Sequence, residues 1–169
     1  MPRSALRWLI IMSFGVLALV CVFLLDPTYR LMYNPSSSAP RGWYLRIPLA
    51  TLERRTLILA RLPDGIAAFA AARDYLPLTV PILKPVAALG GQMVCERAGE
   101  VSIDGTPVAH ALMRDGAGRP LPHWTGCRTL NHDEIFLLSD YNPASFDSRY
   151  FGPLRRAAVI GKVLPLWTW

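Results

Sequence analysis

Lysine is nearly missing from this chain. Of 18 basic residues only Lys84 and Lys162 are lysines; the rest are arginines, and they never gather into one dense run. A formal charge of +6 spread in this way argues against a nucleic-acid groove. It favours attraction to an anionic membrane surface, because arginines lie on both sides of the apolar N-terminal run. Cysteine is scarce too, at three, with no C-x-x-C and no Cys/His spacing suited to zinc, so neither a metal nor a cofactor is implied. His110, His123 and His132 are dispersed through polar, turn-rich stretches and read as surface residues. The absence of a G-x-S-x-G elbow excludes that route to a serine nucleophile. Internal repeats and low-complexity segments are missing as well. The 15 prolines scattered over 169 residues disfavour a helical bundle and favour short strands with many turns.

What is present begins with WLIIMSFGVLALVCVFLL, Trp8 to Leu25, which carries no charge. It is about as long as the shortest helix that crosses a bilayer. Arg3 and Arg7 precede it, and Asp26 and Arg30 follow. Positive charge ahead of the run keeps the amino terminus in the cytoplasm and sends the remainder outward. A cleaved signal is the rival, but the run ends FLLDPTYRLMY without a small-x-small site. The expectation is an uncleaved anchor over residues 1–27 and an exported domain over 28–169. Cys21 lies inside the run. In an exported domain Cys95 and Cys127 are expected to pair as a disulfide, with two buried free thiols as the alternative.

The body reads as short strands: WYLRIPL, RTLILARLP, LTVPILKPVAALGGQMVCER broken at Gly90-Gly91, EIFLLSD and AAVIGKVLPLW. Asp104-Gly105 between apolar runs is the clearest hairpin signal. DGIAAFAAARDYL, Asp64 to Leu76, reads as the single short helix, with Asp64 as its cap. RDGAGRPLPHWTGC and YNPASFDSRYFGPLRR read as loops. The expected fold is mainly β with one short helix, preceded by one transmembrane helix. Trp167 and Trp169 are read as packing onto the core or lying at a bilayer interface.

Three stretches carry possible chemistry. Lys84, in TVPILKPVAAL, is the only charged residue between Asp74 and Glu96. A buried lysine loses its charge more easily, and a neutral amine can take a proton from a serine hydroxyl. From the local sequence, a lysine snorkelling off a strand is an equally good reading. Lys162 in VIGKVLP reads as an edge-strand charge. Ser36, Ser37 and Ser38, between Pro35 and Pro40, are either a solvated turn or the source of a nucleophile held near a membrane. Ser145, Asp147 and Arg149 alternate, as if on one face of an extended segment; the ordinary reading is a surface ion pair.

Together these residues resemble the type I signal peptidases, which use a serine-lysine dyad on a β-rich fold. The resemblance covers nearly the whole chain, and within the family it is nearest the TraF-type conjugative-transfer peptidases. It rests on the N-x-S-x-S-x-P-x-G pattern of Asn34, Ser36, Ser38, Pro40 and Gly42, on SFDSRYFG from Ser145 to Gly152, and on IGKV. The resemblance implies Ser38 as nucleophile, Lys84 as base, Ser36 as an oxyanion donor, Ser145 as the lysine's hydrogen-bond partner, and Asp147 with Arg149 as a supporting pair. Larger members place two residues between the nucleophile and the proline; counting back from Pro40 that way selects Ser37. The S-x-S spacing with Ser36 selects Ser38. The implied substrate is an exported precursor with small residues before the cut, in the TraF branch a conjugative pilin subunit. The implied location is the inner membrane with the catalytic domain in the periplasm. A general signal peptidase and a non-catalytic periplasmic scaffold of a conjugation or secretion complex are the alternatives.

Overall fold

A computed structural model describes residues 3–25 and 30–169. Asp26 and the expected boundary between residues 27 and 28 lie outside the described residues. The apolar run forms α1, Arg3–Leu25, in which Ser4–Cys21 has mean hydropathy 2.0 and none of it is buried. That helix is long and apolar enough to cross a membrane, and Cys21 is exposed on it.

The body is two antiparallel sheets. The first has seven strands. Its β1 (Arg30–Asn34), β2 (Gly42–Ile47) and β3 (Leu57–Ala60) come early. After α2 (Asp64–Ala72) comes β4 (Ile82–Leu89). The second sheet then forms from β5 (Met93–Arg97), β6 (Glu100–Ile103), β7 (Thr106–His110) and β8 (Gly126–Thr129). The chain returns to the first sheet with β9 (Glu134–Leu137), a helical turn α3 (Ser148–Phe151), β10 (Leu154–Arg155) and β11 (Val159–Thr168). The spatial orders are β1-β2-β11-β3-β4-β9-β10 and β7-β6-β5-β8.

The strand pattern dictates most of this. Chain direction reverses between β4 and β5 at Gly90-Gly91, where a Cβ on Gly90 would come within 2.6 Å of the Asn131 carbonyl oxygen. At the β6–β7 hairpin both Asp104 (φ 50) and Gly105 (φ 80) take the left-handed region that a tight hairpin turn requires. Ala88, Val94, Val101, Ile103, Leu130 and Phe136 pack where the sheets meet. Ile58, Ile82, Val86, Ile135 and Leu137 form a second cluster inside the larger sheet's layer. Cys95 and Cys127 are register partners on β5 and β8 and are joined by a disulfide.

Several expectations are corrected. Asp64 is the first helical residue and not the cap; Pro63 caps the helix, its carbonyl accepting from Ile66 and Ala67 N–H. The helix stops at Ala72 instead of Leu76 because Asp74 turns left-handed (φ 59). Asp74 N–H then bonds Ala71 O and Tyr75 N–H bonds Ala70 O, which closes the helix end. Lys162 lies on β11, an interior strand between β2 and β3, and not at a sheet edge. The segment read as a loop after Asp140 contains α3 and β10. His123 is half-buried, with its ring against Tyr150, and its buried Nε2 has no hydrogen-bond partner among the described residues. Trp167 and Trp169 are 70% and 61% exposed and touch each other, so they do not pack into the core.

Candidate active site

Serine, lysine and the late loop converge. Between β1 and β2 the chain makes a short turn carrying Ser36 to Ser38. Its shape is set by Asn34, buried at the end of β1. The Asn34 Nδ2 donates to the carbonyls of Ser36 (3.2 Å), Ala39 (3.2 Å) and Pro40 (3.1 Å). Its Oδ1 accepts from the Ser36 N–H (3.1 Å) and the Ser36 hydroxyl (2.7 Å). Tyr44 Oη donates to Pro40 O at 2.6 Å. Gly42 is needed at the end of the turn, since its φ is +144 and a Cβ there would meet Trp167 O at 2.1 Å.

Lys84 sits on β4 opposite Ile58 on β3 and is 1% exposed. Burial lowers its pKa from 10.5 to about 8; nearby Asp147 pulls it back up and Arg149 pushes it further down. Its Nζ donates to Ser145 Oγ, and Ser145 Oγ donates to Ser38 Oγ at 3.1 Å. Ser145 therefore stands between lysine and serine, and among the described residues no direct hydrogen bond joins Lys84 to Ser38. Such a line can carry a proton from Ser38 toward a neutral lysine once its polarity reverses. Ser37 points elsewhere: it is exposed, and its hydroxyl accepts from Asn142 Nδ2 at 2.9 Å. Ser38 carbonyl oxygen accepts from Ser139 Oγ at 2.7 Å. The Ser38 N–H has no partner among the described residues, whereas the Ser36 hydroxyl is engaged by Asn34.

Asp147 and Arg149 do not lie on one face of an extended segment, as the alternation suggests. Asp147 caps α3, and Arg149 folds back from that helical turn onto it. Arg149 Nε and Nη2 each bond an Asp147 oxygen at 2.8 Å, in a two-pronged pair whose side chains are 1% and 0% exposed. Asp147 also accepts from Ser139 N–H (3.0 Å). Arg149 donates onward to the carbonyls of Pro143 (2.7 Å), Ser145 (3.1 Å) and His110 (3.1 Å). The pair thus fixes the backbone that presents Ser145. Burial works against the Arg149 charge, but the bonds to Asp147 outweigh it and raise the pKa.

In front of Ser38 lies a cleft of about 400 Å³. Its walls include the serine turn, Ile82 to Lys84, Ser145 with Phe146, and the segment around Asp115. Asp115 accepts from Tyr75 Oη (2.5 Å), Arg119 Nε (2.7 Å) and the N–H groups of Ala117 (3.0 Å) and Arg119 (2.8 Å). The Tyr75 hydroxyl, then the arginine and backbone donors, hold the Asp115 carboxyl well below its usual range. Sequence reading missed this wall, and it missed the anchoring by Asn34 and Ser139. Asn34 had a signal, a polar residue two places before the first serine; the Tyr75–Asp115 contact spans 40 residues and left none.

A two-sheet β body with a serine turn, a buried lysine and a late ion-paired loop defines a class. Residues 3–168 match the family model "Signal peptidase, peptidase S26", and the chain belongs to that family of peptidases. Within it the chain is similar to two proteins of Escherichia coli, each called plasmid transfer protein TraF. One is 31% identical over 147 residues, 80% of this chain and 82% of that one. The other is 35% identical over 146 residues, again 80% and 82%. A solved signal peptidase I of Enterococcus faecalis aligns at a TM-score of 0.38 and 20% identity, covering 66% of this chain and 96% of that chain.

Proposed function

We propose that this protein is a membrane-anchored serine endopeptidase with a Ser38/Lys84 dyad. The supporting observation is the line from buried Lys84 through Ser145 to Ser38, with Ser37 turned away toward Asn142. Neutral Lys84 takes the Ser38 proton, directly or through the Ser145 hydroxyl, as Ser38 Oγ attacks the scissile carbonyl carbon. The oxyanion forms beside the Ser38 N–H, which has no partner among the described residues, and the Ser36 hydroxyl, which leaves Asn34 Oδ1 to donate. The C–N bond breaks, the proton passes from Lys84 to the departing amine, and an acyl-enzyme remains. Lys84 then activates water to release it.

The α1 helix serves as the anchor, with the amino terminus in the cytoplasm and the peptidase body in the periplasm. The substrate is an exported precursor with small residues before the cut. In our reading that precursor is a conjugative pilin subunit rather than the whole secretome, a choice supported only by the relatives' being called plasmid transfer proteins. Ser38→Ala and Lys84→Ala are each expected to abolish precursor cleavage in a mass-spectrometric assay while circular dichroism stays native. Normal cleavage by either variant would remove the dyad and favour a binding scaffold. Loss of one oxyanion donor in Ser36→Ala is expected to slow turnover by about 10²-fold without ending it. Because only about one lysine in a hundred is neutral two units below its pKa, activity should fall as pH drops below about 8. Undiminished activity at pH 4 would count against a lysine base.

A further inference from the structure

Ser38 stands where two clefts meet. The larger, about 400 Å³, is lined by the serine turn with Arg41, by Ile82 to Lys84, and by Ser145 and Phe146 of the late loop. The smaller, about 170 Å³, lies against the residues next after the serine and the lysine, Ala39, Pro40 and Pro85, and Leu57. A peptide with its scissile carbonyl at Ser38 Oγ has both clefts beside it, because Ser38 lines each of them. The smaller cleft also carries Arg55 and the neighbours Asp140 and Tyr141. Arg55 and Asp140 are exposed, and among the described residues neither side chain has a hydrogen-bond or ion-pair partner. Two opposite charges bordering one small cleft are thus left unused by the fold.

Arg55 carries a second signal. Its φ is 65, a conformation that glycine takes freely and a long side chain does not. The turn is held by the Arg55 N–H bond to Val86 O at 2.7 Å. If only the turn mattered, glycine would serve it with less strain; an arginine there presents a guanidinium to the cleft.

We propose that the smaller cleft is the leaving-side subsite, taking the first residues after the cut and favouring charged side chains there. Arg55 attracts a carboxylate in this segment and Asp140 an ammonium or guanidinium. The subsite rests on the Ser38 reading given above. It adds a second determinant of substrate choice, independent of the small residues before the cut.

The test uses the full-length protein in detergent. Synthetic peptides share an apolar stretch and Ala-Gln-Ala before the cut, and carry Ala, Asp or Lys at the first two positions after it. The charged peptides are expected to exceed the alanine peptide in kcat/KM by roughly three- to fivefold, the scale of an exposed charge pair. Arg55→Glu should invert the Asp-to-Ala ratio, and Asp140→Lys should invert the Lys-to-Ala ratio. Ratios within one variant do not depend on how much of it is folded. In parallel, a peptidyl aryl ester, whose leaving group is a phenolate and not a peptide, is used to acylate wild-type and Ser38→Ala protein, with the adduct read by mass. Failure of the ester to acylate wild-type protein at Ser38 would overturn the serine reading. Acylation at Ser38, with charged peptides no better than alanine or with ratios unmoved in both variants, would overturn the subsite alone.

Discussion

Two walls of the cleft are built on a similar plan, an aspartate that gathers backbone N–H groups and arginine: Arg149 at Asp147, and Arg119 with the more distant Arg73 (4.0 Å) at Asp115. In the wall around Asp147 the arginine and aspartate side chains are 1% and 0% exposed; in the other wall Arg119 and Asp115 are 40% and 7% exposed. The chemistry is alike, yet the energetic stakes differ. A buried pair has given up its water, so removing one partner strands the other in a medium that solvates it poorly. A pair open to solvent loses little when it is broken. The wall that presents Ser145 to the lysine is therefore the rigid one. The wall facing it, tied to the end of α2 through Tyr75, is the adjustable one.

The sharpest way to break this comparison is to cut both pairs alike. Arg149→Met should destabilise the protein by about 3–5 kcal/mol in urea unfolding, because Asp147 is left buried and unpaired. Arg119→Met should fall within the range of ordinary surface substitutions. Equal losses would mean that burial does not separate the two walls.

Lys84 supplies the next test, since it lies beside the rigid wall and works against stability. Its folded pKa of about 8 lies below the unfolded value of 10.5, so the unfolded chain binds more protons between those values. Stability therefore rises with pH across that window, and the full penalty is present below it. At pH 7 the penalty is about 3 kcal/mol, from which the lost Ser145 bond subtracts about 1 kcal/mol. Lys84→Met should thus be inactive yet more stable at pH 7, by roughly 1–2 kcal/mol, with the gain vanishing toward pH 10.5. A less stable variant would show that the lysine is held by more than its hydrogen bond. The smallest effect is expected at the adjustable wall. Tyr75→Phe removes the hydroxyl from Asp115 and should raise KM a few-fold, on the scale of one lost hydrogen bond, with kcat nearly unchanged.

Much of this was legible along the chain. β-branched and aromatic stretches bounded by turn residues marked the strands, and Asp104-Gly105 marked the hairpin, because backbone conformation there is a local matter. The membrane-length helix was legible for the same reason. Lys84 and the Ser145–Arg149 stretch drew notice through contrast: one charge in an apolar run, and a dense polar motif. The helical turn of α3 was missed because four residues show no periodicity, and its formation depends on Asp147 accepting the Arg149 N–H. Lys162 was misplaced because strand order is not written locally; β11 enters between β2 and β3 only when distant segments assemble.

The sequence by itself determined which residues are scarce, where the apolar helix runs, and which local stretches turn or extend, since these follow from side-chain composition and neighbouring φ/ψ preferences. The tertiary structure alone decided that Lys84 is buried rather than snorkelling, that Ser38 and not Ser37 meets Ser145, and that one ion pair is dry while the arginine of its counterpart stays open to solvent. Desolvation is a property of everything packed around a group, and residues 61 and 107 positions apart supply it and the contacts within it.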